Sequence, residues 1–205
     1  MTNGQHDEGA IPSPTEVPRA KRPRKLWFAM CALGAICAIS IIAVRVLGLM
    51  HPFSIPSGSM SPALSPGDHI MMEGFTLLVR KPRCGEIIVF RTDGIPGLPD
   101  GQYWTMRVAG VPRDHIRIEG GTLYINDAAT VLSNSAGKIT YDLPPIPEIV
   151  VPYTNTTVPP ASYYVLGDNS TNSNDSRFWG TVPAKNIKRH VWFCYSPPSR
   201  IGAVK

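Results

Sequence analysis

The sequence predicts a mainly β domain with antiparallel strands, carried behind one N-terminal transmembrane helix. Three observations predict it. Near the start, Leu26 to Val44 runs nineteen residues without a charge. Beyond it, seven short runs rich in Val, Ile, Tyr or Trp are bounded by Gly, Pro, Asp or Asn. The chain also holds 21 prolines and 18 glycines, which favours turns over a helical bundle.

The elements follow in order. Residues 1–25 are polar and proline-bearing, and are expected to form a disordered cytoplasmic tail. Residues 26–48 are the expected anchor. A helix rising 1.5 Å per residue needs about 20 residues to cross a ~30 Å hydrocarbon core. A cleavable leader has a shorter apolar stretch of about 7–15 residues and a small-residue end. The segment LGLMHPF after this run supplies no such end. Arg19, Lys21, Arg22, Arg24 and Lys25 precede the run, and only Arg45 and His51 closely follow it. The positive-inside rule then keeps the N-terminus in the cytoplasm and puts residues 49–205 outside, as a single-pass protein of the cell membrane.

Within 49–205 the expected strands are His69–Met72, Glu86–Phe90, Trp104–Ala109, His115–Ile118, Thr122–Ile125, Tyr163–Leu166 and His190–Tyr195. Residues from about 128 to 161, with LPPIPEIVVPYTNTTVPPA, read as an insertion of loops and edge strands, because proline cannot donate to a central ladder. Composition narrows the function classes. The net charge is +5, but the basic run before the anchor holds five of the twenty Lys and Arg residues. No basic stripe interleaved with aromatics remains to bind nucleic acid. No metal-ligand spacing or phosphate loop occurs, and no cofactor is implied. Cys84 and Cys194 lie outside the membrane, where a disulfide between them is expected to persist.

Two clusters carry chemistry. The first is Ile55-Pro56-Ser57-Gly58-Ser59-Met60-Ser61-Pro62-Ala63-Leu64, followed by Ser65-Pro66-Gly67-Asp68. Two serines around a glycine form a tight turn that can expose one hydroxyl beside a backbone N–H. That arrangement suits a nucleophile next to an oxyanion donor. On composition alone the same segment also reads as a linker. The second cluster is Gly167-Asp168-Asn169, then Ser173-Asn174-Asp175-Ser176-Arg177-Phe178-Trp179-Gly180 and Val182-Pro183. A hydrogen-bonded carboxylate and guanidinium here can brace a site.

Together these motifs resemble the type I signal peptidase family, in the order and spacing of that family, over nearly the whole chain after residue 20. The resemblance implies a mainly β catalytic domain with an apolar surface resting on the lipid bilayer. It also implies serine endopeptidase activity on secretory preproteins, cut after small residues at −1 and −3. It gives Ser59 the nucleophile position, and assigns the Ser57 hydroxyl with the Ser59 N–H to the oxyanion hole. Ser173 and Asp175 match residues that line and orient the general base, Arg177 pairs with Asp175, and Asp168 matches a nearby acid. Pro62 and Leu64 fit the apolar rim, although a core role for Leu64 is equally consistent.

One position departs from the pattern. The family's general base is a lysine in a strand reading roughly YIKRVVGLPGD. Here Tyr103-Trp104-Thr105-Met106-Arg107-Val108-Ala109-Gly110-Val111-Pro112-Arg113-Asp114 puts Met106 at the lysine position. A thioether cannot take up the serine proton, and the Arg107 guanidinium stays protonated. Three readings stay open. One is a peptidase with another base, such as a relocated lysine, His69 or His115. Another is a pseudo-peptidase that keeps the cleft as a membrane-anchored peptide-binding or assembly partner. The third is a self-cleaving relative of the SOS repressor proteases, which the anchor disfavours.

Overall fold

The computed structural model describes residues 24–46, 50–143 and 150–204. The chain divides into two units, Met1–Ile42 and Ala43–Lys205. Helix α1 spans Arg24–Val46, and Trp27, Phe28, Ile36, Ile39 and Ile42 on it are all exposed. The side chains of Arg24, Leu26 and residues 43–49 are outside the described set. Among the described residues, no helix is long and apolar enough to cross a membrane. The expected anchor at 26–48 therefore lies partly, and the expected tail at 1–25 almost wholly, outside the described residues.

The second unit is an antiparallel β domain. Its elements are β1 (Met50–Ser54), β2 (His69–Glu73), α2 (Phe75–Val79), β3 (Ile87–Arg91), β4 (Tyr103–Gly110), β5 (His115–Glu119), β6 (Thr122–Ile125) and β7 (Ala128–Thr130). After these come β8 (Ser133–Asn134), β9 (Gly137–Lys138), β10 (Asn155–Thr157), β11 (Ser162–Leu166), α3 (Ser176–Trp179), β12 (Val182–Pro183), β13 (Ile187–Ser196) and β14 (Gly202–Ala203). The main sheet runs β1-β2-β13-β3-β4-β11-β12, with β14 also against β13. A smaller sheet runs β10-β5-β6-β7, and β8 pairs with β9. The range expected as an insertion contributes β7 to β10, apart from 144–149, which lie outside the described residues.

Successive side chains of a strand face opposite ways, and β4 and β11 use both faces. Met106 and Val108, with Tyr163 and Val165, enter one core alongside Ile88, Phe90, Ile70 and Leu64. Ala109, with Tyr164 and Leu166, enters a second core with Ile116, Leu123, Ile139 and Tyr141. Burial on both faces explains why these strands read as near-continuous apolar runs. Strand β1 escaped the sequence reading because it continues the apolar run and contains Pro52. Among the described residues it pairs only with β2, so the missing N–H is tolerated at an edge.

The expected disulfide is not formed, and both thiols are free. Cys84 precedes Gly85, whose N–H bonds to Val108 of β4, whereas Cys194 lies within β13. Strand β3 stands between β4 and β13, which puts them two strand spacings, about 9–10 Å, apart. A disulfide needs Cα atoms within about 4.4–6.8 Å. Each thiol instead donates to a carbonyl, Cys84 to Ala109 and Cys194 to Ser196. Burial pushes both thiols up from their ordinary value. Unreduced native protein should therefore alkylate at exposed Cys84, faster as pH rises, and at buried Cys194 only after denaturation. Mass spectrometry reads this, and a linked Cys84–Cys194 peptide would refute it.

Candidate active site

The β1–β2 connection holds the first serine cluster. Its base closes through Ile55 N–H to the Asp68 carbonyl and Gly67 N–H to the Ile55 carbonyl, each 2.9 Å. Met60 and Leu64 anchor it from inside at 1% and 0% exposure, so Leu64 takes the core role, while Pro62 is exposed and does not line the cleft described below. The buried Asp68 carboxylate accepts the Ser65 N–H at 2.8 Å and Arg200 Nε at 2.7 Å. Arg200 in turn donates to the carbonyls of Pro62 and Ala63. From the opposite side, Asn169 donates its N–H to the Ser59 carbonyl and its side-chain amide to the Gly58 carbonyl, both at 3.0 Å. The turn is thus fixed from three directions. On it, the Ser57 and Ser59 hydroxyls face each other at 3.2 Å, with Ser57 exposed and Ser59 half-buried.

A cleft of about 630 Å³ opens at these hydroxyls. Phe53, Ile55, Met60, Trp104 and Met106 give it apolar walls, and Asn172 and Asn174 add amides at one edge. Met106 is 2% exposed and belongs to the core below. Among the described residues no Lys, His, Asp or Glu lines this cleft. His69, His115, Lys81, Lys138, Lys185 and Lys188 all lie elsewhere, and Lys205 is outside the described residues. An apolar cleft of this size, with two hydroxyls at one wall, can enclose a short peptide segment.

The second cluster supports the first from below. Asp175 and Arg177 are each 0% exposed and form a two-pronged pair, Nε to Oδ1 at 2.8 Å and Nη2 to Oδ2 at 2.9 Å. Arg177 also donates to the Asp142 carbonyl and to both the hydroxyl and the carbonyl of Ser170. Asp175 accepts the Gly167 N–H at 3.1 Å. A Cβ on Gly167 would lie 2.1 Å from Ser173 Oγ and 2.6 Å from the Ser59 carbonyl oxygen. Only glycine lets these two segments approach so closely. Ser173 lies between Asn172 and Asn174 and is 8% exposed, yet its hydroxyl has no hydrogen-bond partner.

Asp168 serves a different part of the domain. Its carboxylate takes Nε and Nη2 of Arg107, both at 2.7 Å, and accepts the Asn134 side-chain amide at 3.0 Å. Arg107 follows Met106 in β4 and so faces away from the cleft. The structure thus gathers Ser57, Ser59 and Met106 at the cleft, with Ser173, Asp175 and Arg177 behind it. Asp168 is set on the other face. Gly167 and Asn169 stood in the second cluster without a role and Arg200 stood outside both clusters, because they act through backbone carbonyls or through the absence of a side chain.

Removing one partner of a buried ion pair strands the other charge. Arg177→Met should therefore lower stability by about 3–5 kcal/mol. That corresponds to roughly 6–20 °C in Tm for a domain of this size. Thermal unfolding in detergent reads this directly, and an unchanged Tm would show that the pair is dispensable.

The family described as signal peptidase, peptidase S26, matches residues 27–196. A probable signal peptidase I-2 of Synechocystis is 29% identical over 189 residues, covering 92% of this chain and 82% of its own length. A probable signal peptidase I-1 of the same organism is 32% identical over 155 residues, covering 74% of each. Thylakoidal processing peptidase 1 of Arabidopsis thaliana is 30% identical over 181 residues, and the chain spans 50% of that protein. The crystal structure of a signal peptidase I from Enterococcus faecalis is 26% identical, covering 54% of this chain and 97% of its own, at a TM-score of 0.39. The chain belongs to the signal peptidase family, peptidase S26.

Proposed function

We propose that this chain is a membrane-bound serine endopeptidase acting on the cleavage region of secretory preproteins, with Ser59 as nucleophile and small side chains in the cleft. The single observation that carries this is the Ser57–Ser59 hydroxyl pair, 3.2 Å apart at the mouth of the apolar cleft. In the reaction, Ser59 Oγ attacks the scissile carbonyl carbon and its proton must leave. The Ser57 hydroxyl and the Ser59 N–H would stabilise the developing oxyanion. The amide nitrogen departs with a proton, leaving an ester on Ser59 that water hydrolyses.

Proton uptake is the weak step. Loss of a general base lowers rates by about 10²–10⁴, and no described group lining this cleft replaces it. That observation favours a second reading, a peptide-binding protein with little or no turnover. The Ser173 hydroxyl is buried and unpartnered. A buried polar group without a partner costs about 1–3 kcal/mol, and since the resemblance sets Ser173 beside the general base, an amine at position 106 is expected to give its hydroxyl one.

The anchor at 26–48 and the extracytoplasmic placement of 49–205 belong to the same proposal. They are supported by the charge asymmetry around the apolar run and by the exposed apolar side chains of α1. Protease added to intact spheroplasts should digest the C-terminal domain and spare an N-terminal tag. The reverse pattern would invert the topology.

Purified wild-type protein should cleave an Ala-x-Ala preprotein slowly or not at all, and Ser59→Ala should abolish what remains. Met106→Lys should raise the rate ~10²-fold or more, because Met and Lys are unbranched and similar in length. The amine must be neutral to act, so the gain should be lost as pH falls below its burial-lowered pKa. Ser173→Ala should leave wild-type stability unchanged or improved, yet reduce the gain in the Met106→Lys background. A fast wild type that Met106→Lys leaves unchanged would establish another base. Two inert but folded proteins that still bind the peptide would establish the binding reading.

A further inference from the structure

Trp104, on the wall of the cleft, stands opposite Phe90 of β3, and Phe90 stands opposite Ile187 of β13. Residues directly opposed across strands point to the same face of a sheet. Two strand spacings, about 9–10 Å, separate Trp104 from Ile187. Phe90 between them is buried, and the Trp179 ring of α3 meets both Phe90 and Trp104, with centroids at 6.0 and 6.4 Å. Ile187 lines a second hollow, of about 1040 Å³. The cleft and this hollow thus share one face of the main sheet, with an aromatic ridge between them.

The two differ in chemistry. Arg80, Lys81, Arg83 and Arg113 line the hollow, and among the described residues no carboxylate does. Arg80 is held by Glu86 at 2.6 Å. The side chains of Lys81, Arg83 and Arg113 have no hydrogen-bond or ion-pair partner among the described residues. Leu77, Val111 and Tyr163 supply apolar wall between the cations. Cations on a convex surface are simply solvated, whereas a concave, mostly apolar hollow with a few charged groups has the form of a ligand site. Its volume reaches the upper end of the ~300–1,000 Å³ range of small-molecule sites, which leaves room for a peptide segment rather than a lone anion.

Arg113 marks the hollow as a feature of this chain. Its φ is 78°, the left-handed region that favours glycine. Position 113 falls where the strand pattern YIKRVVGLPGD has its second glycine. The backbone keeps that conformation, held by the Arg113 N–H to the Val158 carbonyl at 2.9 Å and by the Asp114 carboxylate on the Val111 N–H. Strain of this kind persists where the surrounding structure over-determines it, and it clusters at functional positions.

We propose that the hollow is an exosite, a second contact for the same preprotein whose cleavage region occupies the cleft. It takes an acidic stretch with aliphatic side chains between its carboxylates, which pair with Lys81, Arg83 and Arg113. The inference rests on the reading of the cleft as a preprotein site. An extended chain rises about 3.3 Å per residue, so crossing the ridge takes about three residues. The cleft, at about 630 Å³, is roughly as wide again, which sets the acidic stretch about six to nine residues from the scissile bond. On the near side of that bond, this distance falls within the apolar run of about 7–15 residues that a secretory leader carries before its cleavage site. The acidic stretch therefore follows the scissile bond, and the substrate class is preproteins with an acidic early mature segment.

The test uses the full chain in non-ionic detergent, with Ser59→Ala so that bound peptide is not consumed, and reads fluorescence anisotropy of labelled peptides. One peptide carries an Ala-x-Ala cleavage region followed, about six to nine residues on, by three Asp set among Leu. A second has Asn for each Asp, and a third is the acidic stretch alone. An exposed ion pair contributes up to about fivefold in affinity, so the Asp peptide should bind about ten- to hundredfold more tightly than the Asn peptide. Salt at ~1 M, where the Debye length is ~3 Å, should erase most of that difference. Arg113→Gly, Lys81→Gln and Arg83→Gln should each erase part of it and leave the affinity for the Asn peptide unchanged. Arg113→Gly should also hold or raise Tm, because glycine takes a positive φ freely, so lost binding is not lost folding.

Equal affinity for the Asp and Asn peptides, or a difference that survives the three substitutions combined, overturns the exosite and leaves the reading of the cleft standing. An acidic stretch that binds alone as tightly as the whole Asp peptide shows a site unconnected with the cleft, and overturns the exosite too. If neither peptide with a cleavage region binds, the reading of the cleft fails and takes the exosite with it.

Discussion

The buried pair of Arg177 and Asp175 is the constraint on which the rest of the site depends. A guanidinium with no solvent access must satisfy its donors inside the protein, and here it does so on Asp175, Ser170 and Asp142. Those acceptors come from three segments: the turn before α3, the short helical turn at Ser170–Asn172, and the chain leading out of β9. Asp175 passes the constraint on by accepting the Gly167 N–H, and Gly167 sets how closely Ser173 approaches the Ser59 carbonyl. Replacing such a pair with apolar residues is often tolerated, whereas breaking it is not. Its value here is placement, because it collects distant parts of the chain around one turn.

Much of the fold was legible because strand burial leaves a mark in sequence. All seven expected strands occur, with ends shifted by at most three residues, and β5, β6 and β11 differ by no more than one. What was missed had no such mark. α2 is five residues long, too short for a helical period, and β12 and β14 are two residues each. At the site, the serines and the Asp175–Arg177 pair were legible as a motif. The Asp68–Arg200 contact spans 132 positions, and no local pattern announces it. The Cys84–Cys194 expectation failed for a related reason, since strand order decides which strand ends meet and the sequence does not declare strand order.

Position 106 concentrates the tension between fold and chemistry. Met106 satisfies the core completely, at 2% exposure among Ile88, Val108 and Tyr163. A lysine there would trade part of that apolar contact for an amine that burial holds neutral. The hydroxyl pair, the buried arginine and the glycine contact sit around a side chain that serves the core and offers no proton acceptor. Among the described residues, the buried Ser173 and Tyr141 hydroxyls are left without hydrogen-bond partners.

The two faces of β4 carry a consequence for how this protein tolerates change. Met106 and Arg107 are neighbours on one strand, yet one floors the cleft and the other is bonded to Asp168 and to the Gly85 carbonyl. A slip of one residue in either direction would exchange the two faces, carrying the guanidinium into the cleft or the apolar core. The Arg107–Asp168 bond therefore acts as a register lock, and insertions or deletions within β4 should be far more damaging than substitutions at 106.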